Sequence, residues 1–177
     1  MVVRHLRIVV NGHVGGGHAH SLHAGSLQYA GAYNSLYLIR NKKNPAPGTA
    51  MAKSPLRGDL GGLRVKPVII NDDIALYEIK ADRFPIGAFL KDKTNKFTNH
   101  QFDLYKGDTI YIFSDGYPDQ FGGPKGKKFR YKQFKELLVS IHNSSIEDQK
   151  QILDQTFEQW RGKEEQVDDV LVMGIRF

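Results

Sequence analysis

Three aspartates stand where apolar strand patterns end or begin, and their carboxylates are the side chains of this sequence best suited to chemistry. Asp115 follows the alternating run 109–113 after a single serine, whereas Asp168 and Asp169 open the final apolar run 170–175. Mg²⁺ and Mn²⁺ prefer carboxylate oxygens held on rigid supports, which two neighbouring strand ends would supply. The intervening chain is long enough to bring the strand ends together, so we interpret these aspartates as a candidate metal site.

Each of these aspartates also has a purely structural interpretation. Asp115 is a residue type that closes turns through its own side chain. Asp168 and Asp169 suit a solvated junction between a loop and a strand. If that strand buries its apolar face, however, one carboxylate must turn inward, where it needs a partner or a metal. Gly116 has no Cβ, which would let a metal or a phosphate approach the backbone beside Asp115.

Composition bounds the class of protein. The chain has 177 residues, enough for one domain with a core, and no apolar run approaches the ~20 residues that span a membrane. It has no cysteine, which excludes disulfides and thiolate metal sites and is compatible with a reducing compartment such as the cytoplasm. The net charge of +6 raises nucleic acid as a partner. The lysines are dispersed among acids, however, which favours a solvated basic face.

Residues 1–25 differ from the rest of the chain. They contain one short apolar piece, 6–10, and otherwise a glycine triplet flanked by histidines, with no strand or helix period. We expect a poorly ordered leader, either a flexible terminus or a non-native sequence. A metal-binding histidine tract is the functional alternative. The domain itself is expected to occupy residues 26–177.

From residue 26 onward the pattern predicts an α+β domain of mainly antiparallel strands with two late helices. The predicted strands are 27–30, 35–40, 65–70, 74–79, 97–104, 109–113 and 170–175. The first predicted helix covers 131–142. The second begins after the N-cap Ser145 and ends near Trp160, just before Gly162. Residues 41–63 are rich in Pro, Gly and Lys and are expected to form a loop.

A glycine-rich stretch, 121–126, predicts a flap beyond Asp115. It does not match a P-loop, because the Gly-Lys-Ser/Thr ending is missing. Lys125, Lys127 and Lys128 stand in or beside it and would attract an anionic phosphoprotein. Two isolated histidines, at 100 and 142, are interpreted as structural. With no cysteine, and no serine that has a visible histidine and acid partner set, a covalent nucleophile has little support.

Four short motifs occur in an order that resembles a known family. They are the run 27–37, Pro-Ile-Gly at 85–87, Gly-Asp at 107–108 leading to Ser-Asp-Gly at 114–116, and Asp-Asp-Val at 168–170. Over residues 26–177 the chain resembles the C-terminal part of the SpoIIE-like branch of the PPM-type, metal-dependent serine/threonine phosphatases.

The resemblance implies an antiparallel β-sandwich flanked by helices in αββα layers, and a hydrolase with two Mn²⁺ or Mg²⁺ ions. In such enzymes a metal-activated water attacks phosphoserine or phosphothreonine. By position, Asp115 and Asp168 would ligate one of the two metals, with Asp169 as the adjacent candidate and Gly116 allowing close approach. The implied setting is the bacterial cytoplasm, in a two-component or similar signalling protein whose sensor domains belong to a larger parent. Its substrate would be a phosphoprotein such as a phosphorylated anti-sigma-factor antagonist.

The sequence departs from the family at its N-terminal side. The family has an Asp-x-x-Gly-His-Gly-like motif whose aspartate bridges the two metals, but the first aspartate here is Asp59 and no such motif precedes it. The long helices that follow that motif in the family are also missing, so we expect an incomplete domain. Two functions stay open, a phosphatase and a non-catalytic binding or regulatory module. Exposed sheet edges would favour a homodimer or strand exchange, and a nucleic-acid adaptor ranks last.

Overall fold

The computed structural model describes residues 6–11, 23–31, 33–47, 65–83 and 97–177. Its elements, in chain order, are β1 (Leu6–Asn11), β2 (His23–Gly31), β3 (Leu36–Asn41), β4 (Pro67–Ile70), β5 (Ile74–Ile79), β6 (His100–Tyr105), β7 (Thr109–Phe113), α1 (Gly116–Asp119), β8 (Phe121–Gly122), β9 (Lys127–Lys128), α2 (Tyr131–Ser140), α3 (Ile146–Arg161) and β10 (Val172–Arg176). The glycine triplet of the leader, most of the loop predicted over 41–63 and the Pro-Ile-Gly motif lie outside the described residues.

Two antiparallel sheets form a β-sandwich. The larger sheet has the order β10-β7-β3-β5-β4, and the smaller has the order β1-β2-β6. Leu27 and Phe102 of the smaller sheet pack in one cluster with Leu38 and Ile110 of the larger sheet. These four side chains are at most 3% exposed, so the space between the sheets is a closed apolar core.

The opposite face of the larger sheet is covered by α2 and α3. Phe113 of β7 packs edge-on against Phe134 of α2 with ring centroids 5.0 Å apart, and Tyr117 lies 5.2 Å from Phe157 of α3. Because both faces are covered, the central strand β3 is buried along residues 36–40. The predicted α+β sandwich flanked by helices is confirmed. In the described part of the chain the helices cover one of the two outer faces.

Helix and strand signals in the second half of the chain are largely confirmed. Ser145 caps α3, since its Oγ accepts the N–H of Asp148 at 3.0 Å and donates to the carboxylate of that residue at 2.8 Å. Gly162 follows α3 with φ 56°, a left-handed conformation that favours glycine. β5 and β7 have the predicted bounds, whereas β10 begins at Val172, two residues after the predicted start.

Part of the predicted leader has strand backbone. β1 pairs antiparallel with β2, and β2 begins at His23, so residues 6–11 and 23–25 belong to the smaller sheet. These stretches differ from the expected unordered arm. Strand pairing is made by backbone N–H and C=O groups, so it does not require the alternation of apolar side chains that the sequence lacks here. The division of the chain at residue 25 stays a prediction. β2 and β3 follow one another in the chain but lie in different sheets, so they do not pair with each other.

A buried ion pair closes the end of the larger sheet that lies opposite Asp115. Arg40 in β3 and Asp108 at the start of β7 are at most 1% exposed, and the guanidinium Nη2 lies 2.6 Å from the carboxylate. Asp108 also accepts the N–H of Tyr105, and Arg40 donates to two backbone carbonyls. Burial raises the pKa of Asp108, while hydrogen bonding and the charge of Arg40 oppose that shift. This bonded network anchors the start of β7.

Candidate metal centre

The pairing of β7 with β10 brings the two predicted aspartate sites together. Phe113, the last residue of β7, pairs with Val172, the first residue of β10. Because the two strands are antiparallel neighbours, the chain leaving β7 and the chain entering β10 run side by side. The sheet thus places Asp115 next to the segment that carries Asp168 and Asp169.

Ser114 ties the two segments together through its backbone and its side chain. Its N–H donates to the carbonyl of Leu171 at 2.9 Å. Its hydroxyl donates to the carbonyl of Asp169 at 2.6 Å and accepts the N–H of Leu171 at 2.8 Å. Sequence reasoning gave Ser114 no role of its own, although a short hydroxyl residue between a strand and an Asp-Gly pair is a signal for such a clamp.

Gly116 lies so close to the backbone of Asp169 that a residue with a Cβ would overlap it. A Cβ on this residue would lie 2.9 Å from the carbonyl carbon of Asp169, closer still to the carbonyl oxygen, and 3.1 Å from the side chain of Val170. The sequence predicted that a metal or a phosphate would use the space beside Gly116. In the structure the carbonyl of Asp169 lies where a Cβ of residue 116 would be, so the glycine sets the spacing between the two segments. Approach of a metal or phosphate to the backbone of Gly116 stays a prediction.

Asp115 stands at the N-terminus of α1, and its side chain makes no capping hydrogen bond to that helix. Its backbone carbonyl accepts the N–H of Asp119 at 2.9 Å, and its side chain is partly exposed. Asp115 therefore does not cap α1 through its side chain. Asp119 has a surface role, because its carboxylate pairs with Lys128 at 3.2 Å.

Asp168 and Asp169 are both exposed, which differs from the expectation that one carboxylate turns into the core. The reason is that β10 begins only at Val172, so both aspartates precede the strand, whose own residues are half-buried or exposed. The Oδ1 of Asp168 accepts the N–H of Asp169 at 2.9 Å, and its carbonyl accepts the amide of Gln166 at 3.0 Å. The loop is thus locally ordered, and burial alone gives neither carboxylate a need for a cation.

The donor set suits a hard divalent cation but supplies only part of a coordination sphere. Three carboxylates at adjacent strand ends offer the oxygen ligands that Mg²⁺ and Mn²⁺ prefer. Among the described residues, no group of three or more His, Cys, Asp or Glu side chains is arranged to hold an ion. The segments that carry the aspartates are adjacent, but their carboxylates do not form such a group, so metal binding by these residues stays a prediction.

The predicted flap is a short β-hairpin held against α3. β8 pairs with β9, and the N–H of Gly123 donates to the carbonyl of Trp160 at 2.7 Å. A Cβ on Gly122 would lie 2.6 Å from the carbonyl carbon of Trp160, so only glycine allows this contact. Lys125, Lys127 and Lys128 are exposed on the hairpin, and their predicted role in substrate binding stays a prediction.

The two isolated histidines have the properties of structural residues. Burial, with a smaller effect from Arg176, lowers the pKa of His142 to about 4. Burial also lowers the pKa of His100, against the opposing charge of Asp82. Neither lies in a group of potential metal ligands within the described residues.

Two cavities flank the sheet on its helical side. The larger, of about 530 Å³, lies between α3 and β10 and has a mainly apolar lining that includes Leu153 and Met173. None of the three candidate aspartates lines it, so its size does not mark it as the reaction site. The smaller cavity, of about 320 Å³, lies between α2 and the ends of β5 and β7.

The fold has the architecture of a solved phosphatase domain. The SiaA-PP2C domain of Pseudomonas aeruginosa matches this chain with a TM-score of 0.59 and 24% sequence identity, over 86% of this chain and 46% of that chain. At this identity the likeness shows the fold alone, which is a PP2C-type fold. The chain spans about half the length of that solved chain.

The sequence places the chain in a family. The model of the family described as Stage II sporulation protein E (SpoIIE) matches residues 64–177, more than half of the chain, and the chain therefore belongs to this family. The matched range contains Asp115, Asp168 and Asp169. The predicted resemblance is confirmed, and the chain is a phosphatase-family module of the PPM type. Comparison with curated proteins gives no match. Within the described residues, no helix has the length and apolarity needed to cross a membrane.

Proposed function

We propose that this domain hydrolyses phosphoserine and phosphothreonine in a bacterial signalling protein of the cytoplasm. The observation that carries the proposal is that the segment after β7, with Asp115, lies beside the segment before β10, with Asp168 and Asp169. Membership of the SpoIIE family supports the reaction class. The substrate would be a phosphoprotein, such as a phosphorylated anti-sigma-factor antagonist, and sensor domains of a larger parent protein would control the domain.

The residues of the chain have separate roles in this proposal. Asp115 and Asp168 would hold a Mn²⁺ or Mg²⁺ ion, with Asp169 as the adjacent ligand. The bound metals would supply an activated water and would stabilise charge on the phosphoryl oxygens. Ser114 holds the Asp169 segment against β7, and Gly116 sets the distance between the two backbones. No serine or cysteine of this chain acts as a nucleophile in the proposed reaction.

The test is hydrolysis of an aryl phosphate by this chain, with Mn²⁺ and with chelator, compared with Asp115→Asn. We expect activity that requires Mn²⁺ and falls on the order of 100-fold in the variant, since loss of a ligand should exceed the effect of losing an outer partner. Asp72→Asn is the matched control, because Asp72 is exposed in the β4–β5 turn at the other end of the sheet. Unchanged Mn²⁺ affinity in Asp115→Asn would contradict the site.

A second candidate function is a non-catalytic binding or regulatory module. It is favoured by the partial donor set, since no group of three or more metal-ligating side chains is found in the described residues. This function predicts a folded chain that binds phosphopeptides but gives no turnover with any added metal. Mn²⁺-dependent turnover that Asp115→Asn removes would eliminate it.

A further inference from the structure

Cations gather at the same end of the larger sheet as the candidate metal centre. Ile79 at the end of β5 pairs with Leu36, and Leu36 pairs with Ile112 of β7. Lys80, which follows β5, therefore leaves the sheet at the end where Asp115 follows β7. One end of the sheet thus has the three candidate aspartates on its β10–β7 half, and on its β5 half Lys80 and Arg83 with Asp82 between them.

These cations line the smaller cavity, which we call the α2 cleft. Its charged lining residues are Glu78, Lys80, Arg83 and Lys135, and its aromatic lining includes Tyr37 and Phe113. Three cations against one carboxylate give this lining a net charge of +2. The aromatic walls narrow the cleft, and a cleft that is basic and partly apolar concentrates anionic ligands.

Lys135 is held in place inside the cleft. Its Nζ lies 2.8 Å from the carboxylate of Glu78 and 5.2 Å from the centroid of the Tyr37 ring. Its side chain is only 17% exposed. Burial raises the pKa of Tyr37, so its hydroxyl stays protonated and is able to donate a hydrogen bond. Lys80 and Arg83, in contrast, are exposed at the rim and are placed to meet a ligand first.

Backbone strain is concentrated beside this cleft. Among the described residues, the non-glycine positions with positive φ are Tyr33, at 64°, and Arg130, at 74°. Tyr33 lines the cleft, and Arg130 precedes Tyr131, which also lines it. The N–H of Tyr33 donates to the carbonyl of Asp82 at 2.8 Å, which holds the strained residue in place. Left-handed backbone at bulky residues is costly and occurs most often at functional sites.

We propose that the α2 cleft binds an acidic side chain that flanks the phosphorylated residue of the protein substrate, about three residues away from it. This proposal rests on the proposed function, in which the phosphate lies at the aspartates. Neighbouring strands are ~4.8 Å apart, so the end of β5 lies about 10 Å from the end of β7 along the sheet edge. An extended peptide covers that distance in about three residues. Lys80 and Arg83 would then be specificity residues rather than catalytic ones.

The experiment measures peptide binding by fluorescence anisotropy with Mn²⁺ present and with phosphoserine replaced by its non-hydrolysable phosphonate. The probes are fluorescein-labelled phosphonate peptides with glutamate three residues to either side, with glutamate adjacent to the phosphonate, or with neutral flanks. We expect the first peptide to bind about tenfold more tightly than the neutral one, which is the effect of two partly exposed charge pairs. The double variant Lys80→Glu/Arg83→Glu should abolish that preference.

Lys42→Glu/Lys43→Glu is the matched control. It makes the same change in net charge at two exposed lysines after β3, at the opposite end of the sheet. We expect it to keep the preference to within about twofold, since distant exposed charges are screened. Melting temperatures of both variants confirm that each is folded. Binding of a phosphonate peptide requires no turnover, so failure of metal-dependent hydrolysis leaves this result unaffected and the two proposals fail separately.

Three results would overturn the proposal. The first is equal binding of the acidic and neutral peptides by the unaltered chain. The second is equal loss of the preference in the cleft variant and in the control, which would indicate a general charge effect. The third is a preference that survives in the cleft variant but disappears in Lys125→Glu/Lys127→Glu, which would assign substrate recognition to the β8–β9 hairpin.

Discussion

At the scale of single residues, backbone contacts bring the candidate aspartates together. Ser114 makes three hydrogen bonds to the segment that enters β10, and Gly116 lets the backbone of Asp169 pass beside it. The carboxylates themselves are exposed or partly exposed and need no buried partner. The smallest side chains next to Asp115 therefore decide how far it lies from Asp168 and Asp169.

Gly116→Ala should weaken metal binding without touching a carboxylate. The added Cβ would overlap the carbonyl of Asp169, and relief of that overlap moves the two backbones apart. Overpacking of this kind costs about 1–3 kcal/mol of unfolding free energy. We expect Mn²⁺ affinity to fall about tenfold as well, as it does when an outer partner is lost. Urea unfolding and titration with Mn²⁺ measure the two effects.

The control for this variant is Gly126→Ala, in the turn of the β8–β9 hairpin. A Cβ there meets no atom within 4 Å, but φ is +57°, so alanine is strained without a clash. We expect about 1–2 kcal/mol of destabilisation and unchanged Mn²⁺ affinity. If both variants lowered Mn²⁺ affinity equally, the contact at Gly116 would have no specific link to the metal centre.

The candidate site was predictable from local sequence only in part. An apolar run that ends in Ser-Asp-Gly, and an Asp-Asp pair before the last run, indicate where the carboxylates lie along the chain. The inward turn of an aspartate at 168–169 was wrong, because the exact start of β10 depends on the hydrogen bonds to Ser114. The cations of the α2 cleft were missed. Lys80 and Lys135 are distant in sequence, and only sheet order and helix packing bring them together.

At the scale of elements, those with strong local signals were predictable and those built by pairing were not. β5, β7 and the start of α3 follow from apolar runs and from the Ser145 cap. β1 has only a short apolar run, and β8 and β9 are two residues each, so their strand backbone depends on long-range hydrogen bonds. The buried Arg40–Asp108 pair was also missed, because either residue alone predicts an exposed position.

Trp160 controls the order of the β8–β9 hairpin. Its indole N–H donates to the carbonyl of Gln120 at 3.1 Å, and its ring packs edge-on against Phe129 at 5.2 Å. We expect Trp160→Leu to raise the population of the open hairpin about tenfold, since both contacts are lost. Limited trypsin digestion measures this, because Lys125 and Lys127 lie in the hairpin and are cleaved in the open form.

Trp160→Phe separates the two contacts. It keeps an aromatic ring against Phe129 and removes only the hydrogen bond to Gln120, so we expect an intermediate rate of cleavage. Equal cleavage of the hairpin in all three proteins would mean that Gly122 and Gly123 hold it through the backbone of α3 alone.

At the scale of the whole molecule, charged residues lie together at one end of the strands of the larger sheet. At this end, three aspartates lie after β7 and before β10, and Lys80 and Arg83 follow β5. Part of the positive charge is therefore local, since Lys80, Arg83 and Lys135 lie together in the α2 cleft. At the opposite end of these strands, the buried Arg40–Asp108 pair stabilises the fold.

The edge strand β10 of the larger sheet predicts self-association of this chain. In the described part of the chain β10 pairs only with β7, and on or beside β10 Leu171 is 55% exposed and Met173 is 47% exposed. An apolar edge strand is a template for pairing with a second copy. We expect a concentration-dependent mass in sedimentation velocity, and a monomer for Met173→Lys, because a charge on the edge strand opposes pairing.

Val68→Lys is the matched control, since Val68 is 46% exposed on β4, the edge strand at the other side of the sheet. A monomeric unaltered chain would contradict the prediction, and equal suppression by both variants would remove β10 as the interface.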